Sequence, residues 1–264
     1  MGMSNAATRP ETGSPPRAIW LLAEAVAAVA ALWWQGPIAQ WASYHAFADD
    51  RAWFGIPNAA NVFSNLPFAL IGGWGLWRLA KQAPTGPAHA AWCWFSAAVA
   101  CTALGSALYH WEPTNGWLVL DRLPIAWACA TLTCALLAER VDRRWASVWA
   151  LCIAVVAGTV SVLYWWVTEQ QGQGDLRPYL AVQFLPMLLV PAALALRLAP
   201  TGERAVSGHA LWTVLLLYAA AKLTELGDHA VLEAVGVTSG HTLKHLLAAA
   251  AAWWLLLAAT RTID

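Results

Sequence analysis

Ser239-Gly-His-Thr-Leu-Lys-His245 opens an apolar run that continues without a charged residue to Ala259. At a helical rise of about 1.5 Å per residue, such a run crosses the roughly 30 Å hydrocarbon core of a bilayer. The i, i+4 spacing puts His241 and His245 on one face of that helix. A second string of the same kind, Ser106-Ala-Leu-Tyr-His110, closes another apolar run, and Asp121 follows eleven residues after His110. Three imidazoles, a carboxylate and a hydroxyl can therefore converge inside a helical bundle. That is the ligand set of an open zinc site, which keeps three protein ligands and leaves one position to water.

The rest of the chain repeats this pattern. It is 59% hydrophobic and 11% charged with mean hydropathy +0.51, too little polar surface to solvate 264 residues, so lipid is the expected solvent. Apolar spans fall at about 18–36, 58–80, 88–109, 118–138, 145–167, 178–198, 209–233 and 240–259. They predict an all-α integral membrane bundle: a seven-helix core with one additional N-terminal transmembrane helix. Residues 1–16, rich in Pro, Gly, Ser and Thr, predict a disordered tail. Residues 17–37 read as a retained membrane anchor, since this span holds Glu24 and ends at Trp33-Trp34 without a small-residue cleavage site. Residues 50–259 hold the seven spans of the expected core. Net charge is zero and no basic block occurs, which speaks against nucleic acid. The five cysteines all lie in apolar runs without a C-x-x-C pair, and read as packing residues.

Lys and Arg set the expected orientation. With a cytoplasmic N-terminus, the inside ends hold Arg9, Arg17, Arg78, Lys81, Arg140, Arg143, Arg144, Arg197, Arg204 and Arg261, whereas the outside loops hold Arg51 and Arg177. Both termini are then cytoplasmic. His110, Asp121, His241 and His245 map to the outer leaflet, together with Asn58, Asn61, Ser64, Asn65, Glu225 and Asp228. Ionisable groups inside a membrane are costly and usually face the bundle interior, paired or functional.

Each residue also has an ordinary reading. A histidine near a helix end can be interfacial, and a membrane serine can bond back to its own helix. Asp121 can be a general base for water and the leaving amine, a carboxylate orienting a ligand histidine, or an ion-pair partner of Arg122. Ser106 is placed to donate to a developing oxyanion or to water. Lys222, Glu225 and Asp228 form a polar stripe in which Lys222 pairs with Glu225 and Asp228 bonds a ligand histidine. Lys244 is expected to point elsewhere. Asn61, Ser64 and Asn65 are either interhelical glue or the mouth of a substrate cavity. The co-occurrence of these groups in one leaflet favours the metal site.

Asn61-x-x-Ser64-Asn65-x-Pro67-Phe68, Gly105-Ser-Ala-Leu-Tyr109-His110 with Asp121-Arg-Leu-Pro124, and Ser239-Gly-His-Thr-Leu-Lys-His245 together resemble the alkaline ceramidase family. That family belongs to a seven-helix membrane hydrolase superfamily that includes adiponectin-receptor-like proteins. The resemblance spans roughly residues 50–259. It implies that His110, His241 and His245 bind zinc and that Asp121 and Ser106 are catalytic, with ceramide cleaved to a sphingoid base and a fatty acid. Two features depart from it. Residues 18–36 lie outside the seven-helix pattern. The acidic calcium-binding stretch of eukaryotic members is reduced to Asp49 and Asp50, with Asn58 where an acid is expected, which puts calcium in question. The Ala-, Trp- and Arg-rich composition suggests a bacterial cell membrane protein whose partners are the bilayer and a lipid substrate. The alternatives are a receptor-like or interaction protein with a structural metal, and an amidase of another N-acyl lipid. No inverted repeat supports a transporter.

Overall fold

The computed structural model describes residues 15–84, 86–202 and 204–261. Apolar runs bounded by Ser, Thr and Pro become helices, because those residues satisfy or remove the unpaired N–H groups of a first turn. Thr114, Ser147, Ser207 and Ser239 each accept a hydrogen bond from a first-turn N–H, and proline opens two further helices. The elements are α1 (Pro15–Gln35), α2 (Ala59–Phe63), α3 (Leu66–Ala80), α4 (His89–Trp111), α5 (Asn115–Arg140), α6 (Val148–Gln170), α7 (Arg177–Ala195), α8 (Gly208–Leu226), α9 (Asp228–Val235) and α10 (Gly240–Ala259). A 3-10 turn at Arg143–Ala146 joins α5 to α6. Among the described residues there is no strand, only an isolated bridge between Trp53 and Ile56.

The chain is thus an all-α membrane bundle. Six of its helices are long and apolar enough to cross a bilayer: α1, α4, α5, α6, α7 and α10. The expected continuous span at 209–233 is corrected: α8 ends at Leu226, and α9 leaves at 84° after Gly227. The span at 58–80 is likewise broken, by a turn at Ser64–Asn65 ahead of Pro67, and its longer piece has only 15 residues. Of the disordered tail expected at 1–16, residues 1–14 lie outside the described ones, while residues 15 and 16 already belong to α1.

α5 is the central helix, packed against α4, α6 and α7, while α10 packs on α8 and α3. Two buried clusters fill the bundle. The larger includes Leu79, Trp92, Phe95, Leu132, Leu151, Leu255 and Leu256. The smaller gathers Tyr109, Leu118, Val162, Trp165, Leu176 and Tyr179. Apolar side chains cover the outer faces too, as on α6 with Val148, Trp149, Ile153, Val156 and Val160, the surface expected to meet lipid tails. α1 packs on α7 and leaves Ile19, Trp20, Leu22 and Val26 exposed. All five cysteines are free; Cys129 and Cys134 are buried as expected, but Cys101 is exposed on an outward face.

Candidate metal centre

The site forms where the C-terminal turns of α4 meet the first turns of α10, with α2 and α5 alongside. His110, His241 and His245 are buried, and one ligand nitrogen from each lies within 4.8 Å of the others. The Nε2 atoms of His110 and His241 are 3.3 Å apart, and the three ring centroids are 4.8–4.9 Å from one another. This arrangement can hold a metal ion.

Hydrogen bonds fix how each histidine is presented. The Ser64 hydroxyl donates its only proton to the Asn61 carbonyl (2.9 Å) and lies 2.7 Å from His245 Nδ1. It must therefore accept from Nδ1–H, which leaves His245 Nε2 with a free lone pair, as a metal ligand requires. Asp228 accepts from the backbone N–H of His241 at 2.7 Å and from that of Ala48 at 2.9 Å. The expectation that Asp228 serves a ligand histidine thus takes the form of a bond to its main chain rather than its ring. Asn58 donates to the His110 carbonyl (2.9 Å), and Thr242 to Asn61 Oδ1 (2.8 Å). Asn65 donates to the Asn61 carbonyl at 2.8 Å.

Two glycines set the helix spacing. A Cβ on Gly105 would stand 2.1 Å from the Leu120 carbonyl oxygen, so only glycine lets α4 lie this close to α5. The neighbouring Ser106 side chain consequently lies beside the Asp121 carboxyl. A Cβ on Gly240 would stand 2.0 Å from the Thr224 carbonyl oxygen, so glycine also admits the start of α10 against α8 and α9. Asp121 Oδ1 and His110 Nδ1 are buried without a hydrogen-bond partner.

Lys222 and Lys244 both reach Glu225, at 2.6 and 2.8 Å. Lys244, expected to point away from the face shared by His241 and His245, bridges α10 to α8 through Glu225. Arg122 is not an ion-pair partner of Asp121: its guanidinium donates to Gln40 at 2.7 Å instead.

The loop ahead of α2 is what the sequence did not announce. Phe47 packs on both His110 and His241, with ring centroids 4.6 and 4.7 Å away. His45 lies 2.9 Å from both the Tyr109 hydroxyl and Asn115 Oδ1. The two carboxylate oxygens of Asp49 are taken by Arg51, each at 2.7 Å, and Arg51 continues to the Val237 carbonyl at 3.0 Å. The Arg51 guanidinium holds the Asp49 carboxyl below the usual carboxylate range. No periodicity marks loop residues such as Phe47; an aromatic among Asp, His and Ala between spans carries no signal by itself.

The family model described as Ceramidase matches residues 55–174. That segment contains Ser106, His110 and Asp121 and stops before His241 and His245, which the fold brings to His110 independently. No curated protein matches the chain.

Proposed function

Because the chain belongs to the ceramidase family through residues 55–174, we propose that it is a zinc-dependent intramembrane hydrolase of a lipid amide, with ceramide as the family's substrate. The observation that supports this most directly is the buried histidine triad beside the Ser106–Asp121 pair. Nitrogens bound 2.0–2.1 Å from a tetrahedral zinc stand about 3.4 Å apart, and His110 and His241 present theirs at 3.3 Å. The donor set is all imidazole, which suits zinc over calcium or magnesium.

His110, His241 and His245 would hold the ion, which supplies Lewis-acid polarisation of the amide carbonyl and lowers the pKa of water. Asp121 is the base that takes a proton from the attacking water as its oxygen joins the carbonyl carbon. The same carboxyl then delivers that proton to the leaving nitrogen as the C–N bond breaks, giving a free amine and a fatty acid. Ser106 orients the Asp121 carboxyl and can redirect its O–H to the developing oxyanion. Phe47 walls the histidines from bulk water, and Ser64 and Asp228 keep them aimed. A buried carboxylate oxygen with no partner, Asp121 Oδ1, favours chemistry over a purely structural metal, which has no use for it. The apolar outer faces suit a two-chain lipid arriving sideways from the bilayer. The Lys and Arg distribution favours a site in the outer leaflet with both termini in the cytoplasm.

The test is metal content by elemental analysis, paired with fatty acid release from a ceramide panel. One zinc per chain, with release abolished in Asp121→Asn, supports the proposal. Zinc without turnover on any lipid amide would leave the structural-metal reading, and absence of zinc from protein never exposed to chelator would remove the basis of both.

A further inference from the structure

Arg122 is 3% exposed, and among the described residues no carboxylate lies within ion-pair distance of it. Its guanidinium sits 4.0 Å from the Trp165 ring centroid, with Tyr179 and Tyr44 at 5.1 and 5.2 Å. Nη2 donates to Gln40, but Nε and Nη1 are buried with no partner. Stacking on an aromatic face attracts the charge, yet the N–H groups of a guanidinium lie in its own plane and point away from that face. A buried cation with two unmet donors on a planar fork is the arrangement that receives a carboxylate or phosphate oxygen pair.

The cage is continuous with the metal centre. Tyr109, Trp165 and Tyr179 belong to one buried cluster, against which Tyr44 and Phe47 also pack, and Phe47 touches His110 and His241. Tyr44 and His45 join the cage to Tyr109, the residue before His110. The far side of the cage is polar: Gln40 donates to Asn115, which donates to Glu169. A lipid amide held at Asp121 would have this polar compartment, walled by the Arg122 guanidinium, on one side and the bilayer on the other.

We propose that Arg122 with Tyr44, Trp165 and Tyr179 binds an anionic group on the amine half of the substrate. The preferred lipid amide is then one bearing a carboxylate or comparable oxyanion, as in an N-acyl amino acid, rather than a neutral one. This rests on the amidase reading for the position of the amide, while the anion site itself stands on the cage. The acyl half extends towards the tails, and the acidic head meets the guanidinium.

The experiment compares binding of an N-acylglycine, its methyl ester and a free fatty acid of equal chain length to the full-length chain in detergent micelles. The N-acylglycine should bind at least tenfold tighter than its ester. That ratio should collapse towards one in Arg122→Gln and persist in part in Arg122→Lys, which keeps the charge but not the fork. Equal affinity for acid and ester in the wild-type chain would overturn the proposal, and this arm needs no variant to fold. So would a ratio unchanged in Arg122→Gln, or a preference confined to the free fatty acid, which would make the anion the product's. Acid-selective binding without hydrolysis of any lipid amide would sink the amidase reading and leave the anion site. Hydrolysis of neutral ceramide with no acid preference would do the reverse.

Discussion

Gly105→Ala is the smallest change that should separate the proposed catalytic pair without touching it. The added Cβ would lie 2.1 Å from the Leu120 carbonyl oxygen and 2.8 Å from its carbon. Both are backbone atoms of a helix whose carbonyl is fixed in direction, so no rotamer change relieves the overlap. The first distance is about 1.3 Å short of ordinary van der Waals contact. α4 and α5 must part by roughly that amount at this level, or one helix must twist. Overpacking of this kind costs about 1–3 kcal/mol. The larger effect falls on chemistry, because Ser106 and Asp121 flank the overlap and a misplacement of about 1 Å can cost roughly 10²-fold in rate. Gly73→Ala is the control, since nothing lies within 4 Å of a Cβ there. It should be neutral or slightly stabilising, by about 0.4–1 kcal/mol. The assay is fatty acid release from a lipid amide beside thermal unfolding of both variants in the same detergent. A Gly105→Ala protein with wild-type turnover and melting temperature would refute the argument that helix spacing sets the Ser106–Asp121 contact.

Other substitutions separate the roles of neighbouring groups. Asp121→Asn should retain the metal while turnover falls by roughly 10²–10⁴-fold, the usual worth of a positioned acid–base group; full activity would reduce Asp121 to a structural residue. His110→Ala and His245→Ala should each lose metal and activity together, and full metal occupancy by elemental analysis in either would remove it from the ligand set. Ser64→Ala takes away the acceptor for His245 Nδ1–H and should weaken metal binding by roughly 10–100-fold in a competition titration, with Ser64→Thr restoring most of it. An unchanged affinity would show that the tautomer is held some other way. Asp49 has its pKa lowered by Arg51, so its stabilisation is complete above the unfolded value of about 3.9 and is lost as pH falls through the lower folded value. Thermal melts between pH 6 and 3 should therefore show an acid decline that is shallower in Asp49→Asn; superimposable profiles would show that the Asp49–Arg51 pair adds no stability.

Much of the bundle was legible because lipid enforces a simple code: long apolar runs must be helices, and polar groups within them must meet each other. His241 and His245 share a face by spacing alone, and His110 could be matched to them by leaflet. The breaks were less legible. Span 209–233 read as one helix because Ala230-Val-Leu232 resume the apolar character after Gly227-Asp-His229, yet the chain turns there by 84°. The turn delivers Asp228 to the main chain of His241, a long-range contact no local window contains. Phe47, His45 and Arg122 escaped for the same reason, since their partners come from α4, α5, α6, α7 and α10 and only the fold assembles them.

Lys244 shows why the missed contacts matter for function. Spacing correctly put it off the face shared by His241 and His245, but that did not say where its charge would go. In the fold it and Lys222 converge on one carboxylate, Glu225. Two cations on a single anion leave net positive charge beside the site, and Asp121 lies within electrostatic reach of Lys244. Buried charge is tolerated only where it is compensated. The Lys244 charge thus acts on the Asp121 carboxyl across α5 and α10, while its own ion pair is with Glu225. Lys244→Met should on this argument lower turnover by acting on Asp121 while leaving metal content intact, and Glu225→Gln should act in the opposite electrostatic sense. If the two substitutions shifted the pH–rate profile in the same direction, charge compensation would not be the link between them.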